Sequence, residues 1–211
     1  MPVIAEPARL GPQSFGGHAL NFTHLFAASI IALPLTLSGA QAQTQLSRNE
    51  IVNSLQGAQT KAEINAADVR AQALQNIRQY PGDNATTSLP ISAQLAKLRQ
   101  FNVEITFDFD SDRIRPESYE TIGVIADALH TPYLWGQTFF VVGHTDAKGK
   151  REYNLELSQR RANAVREALV TTFFVPSEQL EAIGLGEEQL RDPSNPDGAI
   201  NRRVQLINVG F

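Results

Sequence analysis

Cysteine is absent from the 211 residues, so the chain offers neither a disulfide framework nor a thiolate metal site. Histidine is scarce, with four residues. His18 and His24 fall within residues 1–42, ahead of an apolar run, and His130 stands beside a predicted helix end. His144 and Asp146 are spaced like a metal pair, but no third ligand accompanies them, and the expected role of His144 is a structural hydrogen bond. Asp108, Asp110 and Asp112 begin like a calcium loop; Arg113 then stands where that loop needs Gly, and Tyr119 where it needs Glu. Neither a metal nor a cofactor is expected. Gly-x-Ser-x-Gly and phosphate-loop patterns are missing as well. Charge of one sign is also lacking. The formal net charge is −4, residues 1–42 contribute only Glu6 and Arg9 to it, and no basic stripe exists to attract nucleic acid.

Long hydrophobic runs are equally limited. Leu25 to Leu37 is apolar apart from Ser29 and Thr36, is interrupted by Pro34, and is short for a membrane span. It reads as the apolar core of an export signal, followed by the small-x-small sequence Ala40-Gln41-Ala42. Residues 1–42 are therefore expected to be a signal peptide, although the segment before the apolar run is long and lacks a clear positive charge. An uncleaved anchor is the competing reading.

Between residues 43 and 100 a helical arm and linker are expected. Ser47-Arg48-Asn49-Glu50 has capping-box spacing ahead of Ile51, Val52 and Leu55, and Gly57 ends that pattern. Ile64, Ala67, Ala71, Leu74 and Arg78 form a thin helical stripe before Pro81-Gly82. Residues 81–90 read as a linker, and Ile91, Leu95 and Leu98 as a short helix. The stripe suits either a partner-docking helix or an amphipathic arm resting on its own domain.

From residue 101 to 211 the pattern is that of an α/β layer. Val103, Ile105, Phe107 and Phe109 alternate with polar residues and predict a half-buried strand. Tyr119, Ile122, Ile125, Ala126 and Leu129 have helical period behind Pro116. Residues 138–142 form an apolar strand, residues up to about Thr172 a long helix, and 180–185 and 204–209 two further strands. Strand, helix, strand, helix, strand implies right-handed crossovers, with the last strand free to join antiparallel in a mixed sheet.

The stretch Gly143 to Val165 concentrates the chemistry. Gly143 permits a sharp exit from the strand and Gly149 a second turn before the helix, whose core face is Leu157, Ala164, Val165, Ala168 and Leu169. Asn154 and Arg161 lie seven residues apart and share a stripe. Helical side chains lean toward the N-terminus, which aims Arg161 back at the turn carrying Asp146. A carboxylate and a guanidinium facing one cleft suit a zwitterionic ligand. Arg160 is rotated about 100° away and reads as a surface residue. The loop from Glu187 to Asn201 is expected to wall the pocket.

These motifs in order, ITFDFDSDRIRPES, GHTD, YNLELSQRRA, AIGLGE and NRRV, resemble the OmpA-like C-terminal domain of the OmpA/Pal/MotB type over about Phe101 to Val209. The resemblance implies a βαβαββ fold with a mixed sheet, here preceded by a short helical arm. It also implies a peptidoglycan-binding module in which Asp146 and Arg161 hold the diaminopimelate of the peptide stem. Asn154, Arg202 and Asp112 are the further pocket contacts it implies. Without cysteine, the lipid-anchored branch of the family is excluded. The expected protein is a non-enzymatic periplasmic tether between peptidoglycan and the outer membrane or an envelope-complex protein. Its alternative is an anchored subunit of a motor or transport complex; a wall-cleaving hydrolase would need a metal centre or an acid pair.

Overall fold

Ser47 and Asn65 start the first two helices by the same device, each in extended backbone with its side-chain oxygen accepting an amide one turn ahead. The computed structural model describes Gly11 and residues 46–58, 60–82 and 89–211. Apart from Gly11, the expected signal peptide and its cleavage sequence lie outside the described residues, as does most of the expected linker. The chain divides into Met1–Gln41 and Ala42–Phe211, and the elements below belong to the second unit.

Helix α1, Arg48–Leu55, buries Ile51, Val52 and Leu55 as its pattern predicts. Helix α2, Ala66–Gln79, uses the expected stripe only in part: Leu74, and Ile64 just ahead of the helix, pack partly buried against the core. Val69, Ala73, Asn76 and Ile77 are buried, whereas Ala67, Ala71 and Arg78 are exposed. Two alanines offer little area, so the larger Val69 and Ile77 decide which face turns inward. Helix α3, Ser92–Leu95, leads into strand β1, Arg99–Val103.

Strand β1 ends where the alternating pattern was expected to begin. Val103 faces Val204, one residue from the start of β4 (Arg203–Gly210), so its partner runs out there. Ile105 still reaches the core, Phe107 makes one isolated bridge to Ile114, and Phe109 is 96% exposed. Helix α4 (Ser118–Leu129), strand β2 (Thr138–His144), helix α5 (Arg151–Thr171) and strand β3 (Leu180–Gly186) follow. The domain is thus βαβαββ, with strand order β1-β4-β2-β3. Strands β2 and β3 are parallel across α5, while β4 inserts antiparallel between β1 and β2.

Successive residues of the strands serve different cores, as the two-residue period requires. Phe139, Val141, Val204 and Leu206 meet α1, α4 and the C-terminal half of α5. Phe140, Val142, Ile207 and Val209 meet α2 and residues 89–95. Both sheet faces are covered, which is why β2 reads as an unbroken apolar run from Phe139 to Val142. Helix α5 lies unusually close to the sheet. A Cβ on Gly184 would stand 2.2 Å from the Gln159 amide nitrogen, so only glycine allows the approach. The Gln159 side-chain oxygen uses it to accept the Gly184 amide at 2.7 Å.

Candidate functional site

The site is built where β2 hands over to α5. Gly149, at φ 97°, turns the chain, and Asn154 in the first turn of α5 ties the handover together. Its amide nitrogen donates to the carbonyls of Asp146 and Lys148 at 3.3 and 3.1 Å and to the Glu187 carboxylate at 2.7 Å. The loop after β3 braces the same turn from outside, with the Ala147 amide donating to the Pro196 carbonyl at 3.1 Å. That loop was expected to wall the pocket. Of residues 187–202, Arg202 alone is among the lining residues.

Asp146, Asn154, Arg161 and Arg202 line one cleft of about 660 Å³ together with Thr106, Phe107, Asp110 and Tyr153. Asp112 is not among the lining residues; its place is taken by Asp110, which adopts a positive φ of 52°. The partnering inside the cleft is more specific than spacing could say. Asp146 is paired with Arg202, whose Nη1 stands 2.6 Å from Asp146 Oδ2. Arg161 is held elsewhere: its Nε donates to the Ser111 carbonyl at 2.9 Å, and its guanidinium lies 4.8 Å over the Phe107 ring. Burial lowers the Arg161 pKa, opposed by the charges of Tyr153, Asp146 and Asp110. The Tyr153 hydroxyl donates to Asp110, which raises the tyrosine's pKa, and Arg160 lies over its ring at 5.9 Å. Tyr153 and Asp110 lie within the quoted motifs, but the sequence reading did not place either of them in the pocket.

At the end of β2, His144 is buried with its Nε2 3.0 Å from Gln205 Oε1. Burial first, and then the nearby Arg203, depress its pKa well below the usual range. Arg203 is itself brought down to about 10 by burial and by Arg191, and its donors are taken by Asn102 Oδ1 and the carbonyls of Asn201 and Gln189. Sequence reasoning also missed a buried pair at the start of α5. Arg151 meets both oxygens of Glu188, and Asn76 of α2 donates to the same carboxylate at 2.6 Å. The partners are 37 and 112 residues apart, so no local pattern could join them.

Residues 106–203, which carry every lining residue except Glu104 and Ile105, match the sequence profile described as OmpA family. This stretch of the chain belongs to the OmpA family. Over 124 residues the chain is 36% identical to Outer membrane porin F of Pseudomonas aeruginosa, an alignment covering 58% of this chain and 35% of that protein. It is 38% identical over 102 residues to the Peptidoglycan-associated lipoprotein of the same organism, covering 47% of this chain and 58% of the lipoprotein. The chain therefore spans about a third of the porin and less than two thirds of the lipoprotein. Among solved structures, the peptidoglycan-associated lipoprotein from Burkholderia pseudomallei is 32% identical, with 56% of this chain and 96% of that one covered at a TM-score of 0.42. In this OmpA family domain the cleft is formed by the loop after β1, the β2–α5 turn, α5 and the start of β4.

Proposed function

We propose that the protein grips the peptide stems of peptidoglycan in the periplasm without chemical turnover, and so tethers the wall to the outer membrane or to an envelope-complex protein. The observation that carries this reading is the convergence of Asp146, Arg161 and Arg202 on one open cleft. An ammonium suits the Asp146 carboxylate, and a carboxylate suits a planar guanidinium through two hydrogen bonds. Diaminopimelate presents both groups at one end of its side chain. Asn154 sets the shape of the turn, and Asp112 follows Ser111, whose carbonyl holds Arg161. The lipoprotein relatives are named for their association with peptidoglycan, which supports the same ligand.

The chain is read as an export signal over 1–42, a helical arm and linker over 43–100, and the stem-binding domain over 101–211. Turnover is not expected, because among the described residues the cleft lining includes no histidine, and its aspartates are engaged, Asp146 with Arg202, Asp108 with Arg115 and Asp110 with the Tyr153 hydroxyl. Retention on purified sacculi tests the proposal. Asp146→Ala and Arg161→Ala should each abolish retention while thermal unfolding stays close to that of the unaltered chain. Unchanged retention in both variants would overturn the assignment.

A further inference from the structure

We propose that the end of the domain opposite the cleft rests on the surface of a zwitterionic lipid bilayer through a group of exposed aromatic side chains. The inference goes beyond the stem-binding reading and does not depend on it. Tyr133, Trp135, Phe174 and Phe211 are 66%, 54%, 78% and 60% exposed. They come from three places in the chain, the turn between α4 and β2, the segment between α5 and β3, and the end of β4, and the fold brings these together. The His130 ring lies 6.3 Å from that of Trp135, and its Nε2 stands 3.4 Å from the Phe174 carbonyl. A Cβ on Gly136 would stand 4.0 Å from the Phe211 ring.

The backbone at Phe174 points to a use for these rings. Phe174 adopts a φ of 59° just past α5, where the Val175 amide closes the helix end by donating to the Leu169 carbonyl at 3.0 Å. Glycine or asparagine ordinarily takes such a position, because a bulky side chain is strained there. The ring is left in solvent, so packing does not account for the strain. The polar tips nearby are also free. Among the described residues, neither the Tyr133 hydroxyl nor the Trp135 indole N–H has a hydrogen-bond partner.

Charge separates this end from the other. Residues 131–137, 172–176 and 208–211, which build it, hold no Asp, Glu, Lys or Arg. The cleft end carries Asp108, Asp110, Asp146, Arg115, Arg161 and Arg202. Between the two runs β2, whose seven residues span roughly 20 Å, so both ends can be occupied at once. Rings with a free polar edge, set among uncharged residues, match the boundary of a bilayer, where the rings enter the upper acyl region and the N–H and O–H groups meet headgroup oxygens. Protein interfaces enlist arginine beside their aromatics, and none stands in these three segments. With no basic residue there and a formal net charge of −4, the chain gains nothing from an anionic surface, which leaves zwitterionic headgroups as the matching partner.

Trp135 is the chain's single tryptophan, so its fluorescence reports this end alone, even if the apolar N-terminal run touches lipid. Vesicles of phosphatidylethanolamine and phosphatidylcholine added to the full chain should shift its emission to the blue, and lipids brominated in the upper acyl chain should quench it. Including phosphatidylglycerol should not tighten binding. Phe174→Gly suits the left-handed backbone, so unfolding should be unchanged or shifted upward while partition onto the vesicles weakens by about three- to tenfold. The inference falls if the protein floats with vesicles while Trp135 stays open to aqueous iodide, if binding requires phosphatidylglycerol, or if Phe174→Gly partitions like the unaltered chain. A blue shift that grows with protein concentration and ignores lipid would overturn it in favour of a contact between copies of the chain. Loss of sacculus retention would leave the vesicle result untouched, so the two readings fail separately.

Discussion

Arg151 Nε and Nη2 meet the two carboxylate oxygens of Glu188 at 2.8 and 2.7 Å, and both side chains are 1% exposed. Hydrogen bonding to Glu188 raises the arginine's pKa in spite of burial. Asn76 and the Tyr80 carbonyl complete the cluster, so the pair joins α2, the start of α5 and the end of β3. Removing one partner would strand a buried charge. Glu188→Ala should cost about 3–5 kcal/mol in urea unfolding, whereas the double change Arg151→Met with Glu188→Leu should recover a large part of it. A cost below about 1 kcal/mol would mean that the pair behaves as a surface salt bridge.

The neutral state of His144 makes stability depend on pH. Its folded pKa lies well below the unfolded value of about 6.5, because burial and the facing Arg203 oppose a second positive charge, while Gln205 pulls weakly the other way. The unfolded chain therefore binds the extra proton first as pH falls. Stability is fully present above about 6.5 and declines from there toward the folded pKa. Unfolding temperatures measured between about pH 7.5 and pH 5 should fall, and His144→Gln should flatten that slope. An equal slope in the variant would assign the effect to other groups.

Gly184 tests the seating of α5 on the sheet. The atoms nearest an added Cβ are the Gln159 amide nitrogen and Cα, at 2.2 and 2.5 Å, and helix backbone cannot swing aside as a side chain can. Gly184→Ala should destabilise by about 1–3 kcal/mol or more in thermal unfolding. Because the Asp146 turn leads directly into α5, the same variant should also weaken sacculus retention. Wild-type stability in this variant would show that the helix can withdraw at little cost.

What could be read beforehand was local. Helices α4 and α5 and strands β2, β3 and β4 follow from apolar period and turn residues, and the run from Asp146 to Arg161 puts both charges near one turn by spacing alone. What could not be read depends on distant partners. The alternation at Val103 to Phe109 is a fair strand signal, but the pairing of β1 runs out at the start of β4, and Phe109 is left in solvent. Periodicity likewise could not say that Asp146 would pair with Arg202, 56 residues away, in preference to Arg161. In α2, the smallness of Ala67 and Ala71 outweighed their spacing.

Binding should depend on the free amine of the stem's diamino acid and weaken only moderately with salt. The motive is the depth of Asp146, whose side chain is 12% exposed, so that a contact made there is screened less than one on the open surface. Acetylating the amine removes the charge that would meet the Asp146 carboxylate. Such a stem should lose about tenfold or more in affinity by calorimetry. Raising ionic strength from about 0.05 to 0.3 M should weaken the unmodified stem by less than that, since the Debye length shortens mainly at the expense of exposed charges. Equal affinity of the acetylated and free stems would move the recognition from the diamino acid to the glycan.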